Sequence, residues 1–207
     1  MMYTPADHTF AICAYGESPY LEELICSLTK QTLPTKLLLA TSTPNDLICN
    51  LCEKYNIKMY INEGPGGIAG DWNFAVSCCT TPLVTIAHQD DIYKPTYAEE
   101  MLARINASSL PLIYFTNYGE LRDGREIDDN KLLSVKRRLL YSLGKPENAG
   151  KQWAKRRALK LGCAICCPSV TLCLPNLELP VFEAGFGSNL DWQAWEKISR
   201  REGDFLY

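Results

Sequence analysis

Two adjacent carboxylates, Asp90 and Asp91, follow an apolar run, PLVTIA (82–87), that reads as a buried strand extended by His88 and Gln89. Like charges on neighbouring side chains repel. A divalent cation relieves that repulsion, and magnesium or manganese takes oxygen ligands together with substrate phosphates. The same pair could instead cap the turn before a helix opened by Pro95. A third carboxylate, Asp191, lies near the start of a helical stretch, 189–202, where it can cap the helix. A glycine-rich loop, NEGPGGIAG (62–70), leads into a helix expected from about Asp71 to Ser77. It contains no GxxxxGK[ST], and no GxGxxG follows the first strand, which disfavours a Walker loop or a dinucleotide fingerprint. Trp72 and Asn73 stand where they could touch a ligand, or simply pack and cap the helix.

These residues need a scaffold, and the hydrophobic pattern describes one. Strands are predicted at 10–15, 36–41, 58–61, 82–87 and 110–115. Helices alternate with them. In the first, Ser18 is the expected cap, Pro19 suits the first position, and Leu21, Leu24, Ile25 and Leu28 form the inner face. In the second, Thr43 is the expected cap, with Asp46 three positions on and Leu47, Ile48, Leu51 and Tyr55 facing inward. The helix after Pro95 turns Met101, Leu102 and Ile105 inward. This alternation implies an α/β fold with a mostly parallel sheet flanked by helices. Open sheets of this kind bind ligands at the carboxyl ends of their strands. Three polar segments fall on that edge: Ala14-Tyr15-Gly16-Glu17, Thr41-Ser42-Thr43 and Gln89-Asp90-Asp91.

The pattern changes after about residue 117. Residues 129–160 hold ten lysines and arginines against two acids, in the blocks KLLSVKRRLLYSL and KQWAKRRALKL. They read as solvated helical faces or as a peripheral membrane contact, since Leu132, Leu133, Leu139, Leu140 and Trp153 interleave with the charges. Residues 163–174 return to strand-like sequence, and Phe205-Leu206-Tyr207 reads as a short terminal strand or as one cut from a longer chain. With 207 residues, 46% of them hydrophobic, the chain can build one substantial core. A formal net charge of -3 gives no reason to expect nucleic acid as a partner. Several of the ten cysteines lie in apolar runs and the set reads as free, not as a disulfide framework, and Cys49-x-x-Cys52 falls inside a helical pattern with no second CxxC. MMYTPADHTF lacks the features of a secretory signal, and no run approaches a bilayer span, so a cytoplasmic setting is expected, with membrane association left to the basic segment.

The segments FAICAYGESPYLEELICSLTKQT, GIAGDWNFA and VTIAHQDDIYKP resemble, in order and spacing, the family 2 glycosyltransferases, which have the GT-A fold. The likeness covers most of residues 8–115 and resumes at ICCPSVT and NLDWQAW. It implies one GT-A catalytic domain over 1–207, with residues 1–117 binding a nucleotide sugar and 118–207 forming the acceptor side. It implies inverting transfer of a sugar from a nucleotide diphosphate sugar, a UDP-sugar first among candidates, assisted by Mn2+ or Mg2+. The acceptor would be a saccharide or a lipid-linked hydroxyl. By the same resemblance Ala14, Tyr15 and Glu17 would border base and ribose, and Thr41 and Ser42 would line the base, without the acidic residue many relatives carry there. Gly70, Asp71 and Asn73 would approach base and sugar. Asp90 would contact ribose or sugar and help hold the metal, Asp91 would hold the metal on the diphosphate, and Asp191 would be the general base, with Asn189-Leu190 replacing the family's usual preceding acid. Two other functions fit paired aspartates on an α/β sheet: a non-catalytic sugar-nucleotide or carbohydrate-binding module, and a metal-dependent nucleotidyltransferase. Tyr15-Gly16-Glu17-Ser18-Pro19 lacks the glycine-rich, basic character the latter needs.

Overall fold

The computed structural model describes residues 2–122, 124–185 and 189–207. Strands β1 (His8–Ala14), β2 (Lys36–Thr41), β3 (Lys58–Ile61), β4 (Leu83–His88) and β5 (Pro111–Phe115) alternate with helices α1 (Leu21–Thr29), α2 (Asp46–Tyr55), α3 (Ile68–Ser77) and α4 (Tyr97–Asn106). A small hairpin, β6 (Glu120–Arg122) and β7 (Arg125–Ile127), comes next. It is followed by α5 (Lys131–Leu140), α6 (Gln152–Leu159), β8 (Val170–Cys173), α7 (Leu190–Ser199) and β9 (Asp204–Leu206). The central sheet has seven strands in the order β3-β2-β1-β4-β8-β5-β9. All neighbours pair in parallel except β8, which runs antiparallel between β4 and β5.

Alternating side chains bury the sheet on both faces. Phe10 and Ile12 of β1 pack with Leu21, Leu24 and Ile25 of α1, Ile48 of α2 and Met101 of α4. Ala11, between them, faces the other core, built from Ala75 and Val76 of α3, Ala154 and Ala158 of α6 and Trp195 of α7. A buried polar chain crosses the sheet: His8 Nε2 meets Thr85 Oγ1 at 2.8 Å, Thr85 meets Thr171 Oγ1 at 2.6 Å, and Tyr97 Oη meets Thr171 at 2.9 Å. Burial lowers the His8 pKa to about 3, so the ring is neutral and must exchange hydrogen bonds with these hydroxyls. Thr85 and Thr171 are direct partners in the β4–β8 pairing, so the chain also fixes that register.

The five predicted strands are present within two residues of their expected bounds. Helix starts differ more. Asn45, not Thr43, caps α2, its Oδ1 accepting from Ile48 N at 3.0 Å. The Thr43 hydroxyl instead accepts from Gly16 N at 2.6 Å, a contact between separate loops that local sequence does not reveal. Helix α1 begins at Leu21, beyond Ser18 and Pro19, with no side-chain cap. Helix α3 begins three residues before Asp71, which places Gly70 inside its first turn. Of residues 163–174 only Val170–Cys173 form a strand. The two basic blocks form α5 and α6 as expected, with Leu132, Val135 and Trp153 exposed. All ten cysteines are free, Cys49 and Cys52 lying in α2. Among the described residues no helix is long and apolar enough to cross a membrane.

Candidate functional site

The carboxyl edge of the sheet is held together by side chains that bridge loops. Gln89 and Tyr15 exchange two hydrogen bonds, Tyr15 N to Gln89 Oε1 at 2.9 Å and Gln89 Nε2 to Tyr15 O at 3.1 Å, tying the end of β1 to the end of β4. Gly16 turns with φ +62°, a left-handed conformation that glycine adopts without strain, and its carbonyl accepts from Asn45 Nδ2. Thr41 is buried, its hydroxyl accepting from Thr43 N at 3.0 Å. Asp71 accepts from Ser42 Oγ at 3.1 Å and from Asn62 Nδ2 at 2.8 Å, joining the ends of β2 and β3 to α3. Gly70 permits this approach, because a Cβ there would lie 2.0 Å from Pro65 O.

Beside this rim lies a cavity of about 330 Å³ lined by Asp90, Asp91, His88, Trp72, Cys166 and Asp191, among others. Three carboxylates from segments about 100 residues apart therefore share one hollow. Asp90 and Asp91 arrive on the turn after β4, where Asp91 N donates to His88 O at 3.1 Å. Asp191 arrives in the first turn of α7, its Oδ1 accepting from Trp192 N at 2.7 Å. Its Oδ2 lies 3.4 Å from Cys163 Sγ, which donates to it. Burial and then the Asp191 charge push the Cys163 thiol up, so it stays a proton donor. The far wall, Cys166-Cys167-Pro168, precedes β8 and is held by α4 and its approach: Tyr93 Oη donates to Pro168 O and Tyr97 Oη to Ser169 O.

The cavity's electrostatics favour a positive guest. Burial and then the Asp90 charge raise the Asp91 pKa to about 6. Burial lowers His88 to about 4, opposed by the Asp90 charge, so at neutral pH the ring is uncharged and does not compensate its neighbour. His88 stacks on Trp72 with ring centroids 4.7 Å apart, and its Nε2 is buried with no hydrogen-bond partner among the described residues. Among the described residues no group of three or more His, Cys, Asp or Glu could hold a metal ion. The donor set is thus a pair of hard carboxylate oxygens. It fits a magnesium- or manganese-type ion that completes its shell with water and substrate phosphates, not an ion caged by protein alone.

Of the residues singled out in the sequence, Asp90, Asp91 and Asp191 meet in the cavity. Tyr15 and Glu17 are exposed on the adjoining rim, Ala14 and Thr41 are buried beneath it, and Ser42, Gly70 and Asp71 form the neighbouring knot. Asn73 is committed elsewhere: its amide donates to Phe182 O at 2.7 Å and accepts from Phe182 N at 3.1 Å. Sequence reasoning missed His88, Ile68, Cys166, Cys167, Pro168 and Leu190 as cavity walls. The available signal was Pro168, which breaks the apolar run and marks Cys166-Cys167 as a turn at the sheet edge.

An α/β sheet with one inserted antiparallel strand and carboxylates gathered at its carboxyl edge defines the class, and the comparisons agree. Residues 9–168 match the family described as Glycosyl transferase family 2, and the chain belongs to that family. Its fold is GT-A. Among solved structures it is similar to S. aureus TarS 1-349 (18% identity, TM-score 0.67, covering 97% of this chain and 60% of that one). It is also similar to the mannosyltransferase PcManGT from Pyrobaculum calidifontis in complex with GDP-Man and Mn2+ (15% identity, TM-score 0.68, 98% and 55% covered). A third is glucosyl-3-phosphoglycerate synthase from Mycobacterium tuberculosis in complex with UDP (12% identity, TM-score 0.62, 94% and 66% covered). The chain thus spans less than two thirds of the length of these proteins. No curated protein sequence matches it.

Proposed function

We propose that the chain transfers a sugar from a nucleoside-diphosphate sugar, a UDP-sugar first among candidates, to an acceptor hydroxyl with inversion and with help from Mn2+ or Mg2+. In this reading residues 1–117 bind the donor and 118–207 supply the acceptor side. The observation that carries it is the convergence of Asp90, Asp91 and Asp191 on one cavity. Asp91 and Asp90 would hold the divalent ion, and the burial and neighbouring Asp90 charge that raise the Asp91 pKa support that assignment. When bound, such an ion supplies Lewis-acid neutralisation of charge on the departing diphosphate.

The remaining steps rest on the chain's own groups. The rim of Tyr15, Glu17 and Ser42 borders the nucleoside, and the Asp71 knot holds the loop before α3 against it. Trp72 offers an apolar wall beside the reacting sugar. Asp191 takes the acceptor hydroxyl's proton as that oxygen attacks the anomeric carbon from the face opposite the leaving group, which inverts the configuration. The Cys163 thiol donates to one carboxylate oxygen of Asp191 and Trp192 N to the other, so the base is oriented before the acceptor arrives.

The GDP-Man, UDP and Mn2+ bound by the solved relatives set the compounds to try. A thermal-shift screen of UDP- and GDP-sugars with manganese or EDTA should show stabilisation that requires both nucleotide and metal. Asp191→Asn should keep that stabilisation and lose about 10²–10⁴-fold in transfer rate, the usual contribution of a general base. Full transfer by Asp191→Asn, or normal manganese-dependent binding by Asp91→Ala, would refute the respective roles.

A further inference from the structure

A second hollow opens on the other side of α7's first turn, a groove of about 1230 Å³ between α6 and α7. Asp191 faces the catalytic cavity, while its neighbour Trp192 faces this groove. Trp192 is pinned there, its Nε1 donating to Leu159 O at 2.9 Å at the end of α6. Trp153, 54% exposed, lines the same groove from the start of α6. The lining carries five cations against two carboxylates, whereas the whole chain has a formal net charge of -3. The carboxylates are already engaged: Glu183 with Lys197 at 2.7 Å, and Glu196 with Arg200 at 3.0 Å and Arg156 at 3.9 Å. Among the described residues Arg157 and Lys160 make no salt bridge.

We infer that this groove is an acceptor subsite for an anionic saccharide, one bearing phosphate or carboxylate groups. Indole faces suit the apolar faces of sugar rings, as they suit other flat or amphipathic surfaces with one apolar side. Unpaired guanidinium and ammonium groups select phosphate or carboxylate. The groove and the catalytic cavity adjoin only at the first turn of α7, where Leu190 and Asp191 line the cavity and Asn189 and Trp192 the groove, so a chain bound in the groove would pass round that turn to bring a hydroxyl to Asp191. The inference rests on the sugar-transfer reading for the word acceptor, but the binding it requires is measured without transfer.

The test is calorimetric titration of the full chain with a galacturonic-acid oligosaccharide, a phosphorylated maltooligosaccharide and a neutral maltooligosaccharide of equal length, at low and high salt. At least one anionic oligosaccharide should bind about tenfold or more tightly than the neutral one, with affinity falling as salt rises. The pair of anionic ligands tells carboxylate from phosphate. The double variant Arg157→Ala/Lys160→Ala, and separately Trp153→Ala, should each weaken that binding about tenfold. These side chains are exposed, so the fold should survive, as checked by melting temperature. Nucleotide- and manganese-dependent stabilisation should be unchanged in both variants, so failure of the donor reading and failure of the groove reading separate. Equal binding of neutral and anionic chains, no binding of any, or indifference to the variants overturns the inference. So does binding of phosphatidylglycerol vesicles, lost in the double variant, with no saccharide binding, which would make the groove a lipid-surface contact.

Discussion

Asp91→Asn removes the charge at the centre of the cavity while keeping the side chain's size, and its effect on stability should have opposite signs with and without metal. The Asp91 pKa rises from an ordinary 3.8 to about 6, first through burial and then through Asp90. At 1.36 kcal/mol per pH unit, that rise corresponds to an upper bound of about 3 kcal/mol. The side chain is 41% exposed, so water and salt screen the repulsion, and about 1 kcal/mol is the size to expect. Because the native pKa lies above the unfolded one, the native state binds more protons between them. The penalty is absent below about 4, builds as pH rises to about 6 and is constant above that. Metal-free Asp91→Asn should therefore melt about 2–4 °C above the parent at pH 7.5, with the gap closing near pH 4. His88 stays neutral down to about 4 and so contributes little to the difference across that window. Manganese with a UDP-sugar should then reverse the order, stabilising the parent and not the variant. A gap at pH 7.5 that persists unchanged at pH 4, or no gap at all, would show that the pair carries no electrostatic strain and would remove the physical case for a cation.

Other consequences are equally direct. Metal-dependent donor binding should weaken about tenfold for each pH unit below about 6, because Asp91 must shed its proton to act as a ligand; titrations from pH 7.5 to 5 would show it. Gly70→Ala would gain about 1 kcal/mol in an ordinary helix, but here its Cβ would strike Pro65 O, so a net loss of about 1–3 kcal/mol and weaker donor binding are expected from denaturation and thermal-shift measurements. Asn73→Ala should cost about 1–3 kcal/mol in urea denaturation, since two buried backbone groups of Phe182 lose their partner. Lys155, fully buried, donates to Arg201 O at 2.6 Å and Gly203 O at 2.9 Å; Lys155→Met should cost about 2–4 kcal/mol while leaving donor affinity unchanged.

What the sequence discloses follows the range of the forces involved. Burial on both faces of a parallel sheet writes itself as apolar runs, and so FAICAY and KLLLAT locate β1 and β2. Asp90 and Asp91 are legible for the same reason, as charges that end such a run. Helix caps are less legible because a side chain can be drawn to a partner far along the chain. Thr43 has the composition of a cap, yet Gly16, 27 residues earlier, takes its hydroxyl and Asn45 caps α2. The sequence puts Asn73 near an expected helix start where a ligand contact is plausible, but it lies midway along α3, and Phe182, 109 residues on, takes both ends of its amide. The cavity wall of Cys166, Cys167 and Pro168 depends on pairing between distant strands, which no local pattern encodes.

That pairing is what turns three carboxylates into one site. A parallel strand beside β4 would present its own carboxyl end to Asp90 and Asp91, and the segment entering it would lie at the opposite edge. Because β8 is antiparallel, with Thr85 opposite Thr171 and Leu83 opposite Cys173, the residues entering it lie beside the end of β4. Cys166-Cys167-Pro168 therefore reach the Asp90–Asp91 turn, and Cys163 just before them reaches Asp191. The His8–Thr85–Thr171–Tyr97 chain favours this arrangement, since a one-residue slip would turn Thr171 to the other face and cost the buried Thr85 and Tyr97 hydroxyls one hydrogen bond each. The buried polar groups far below the cavity thus fix which residues stand around it.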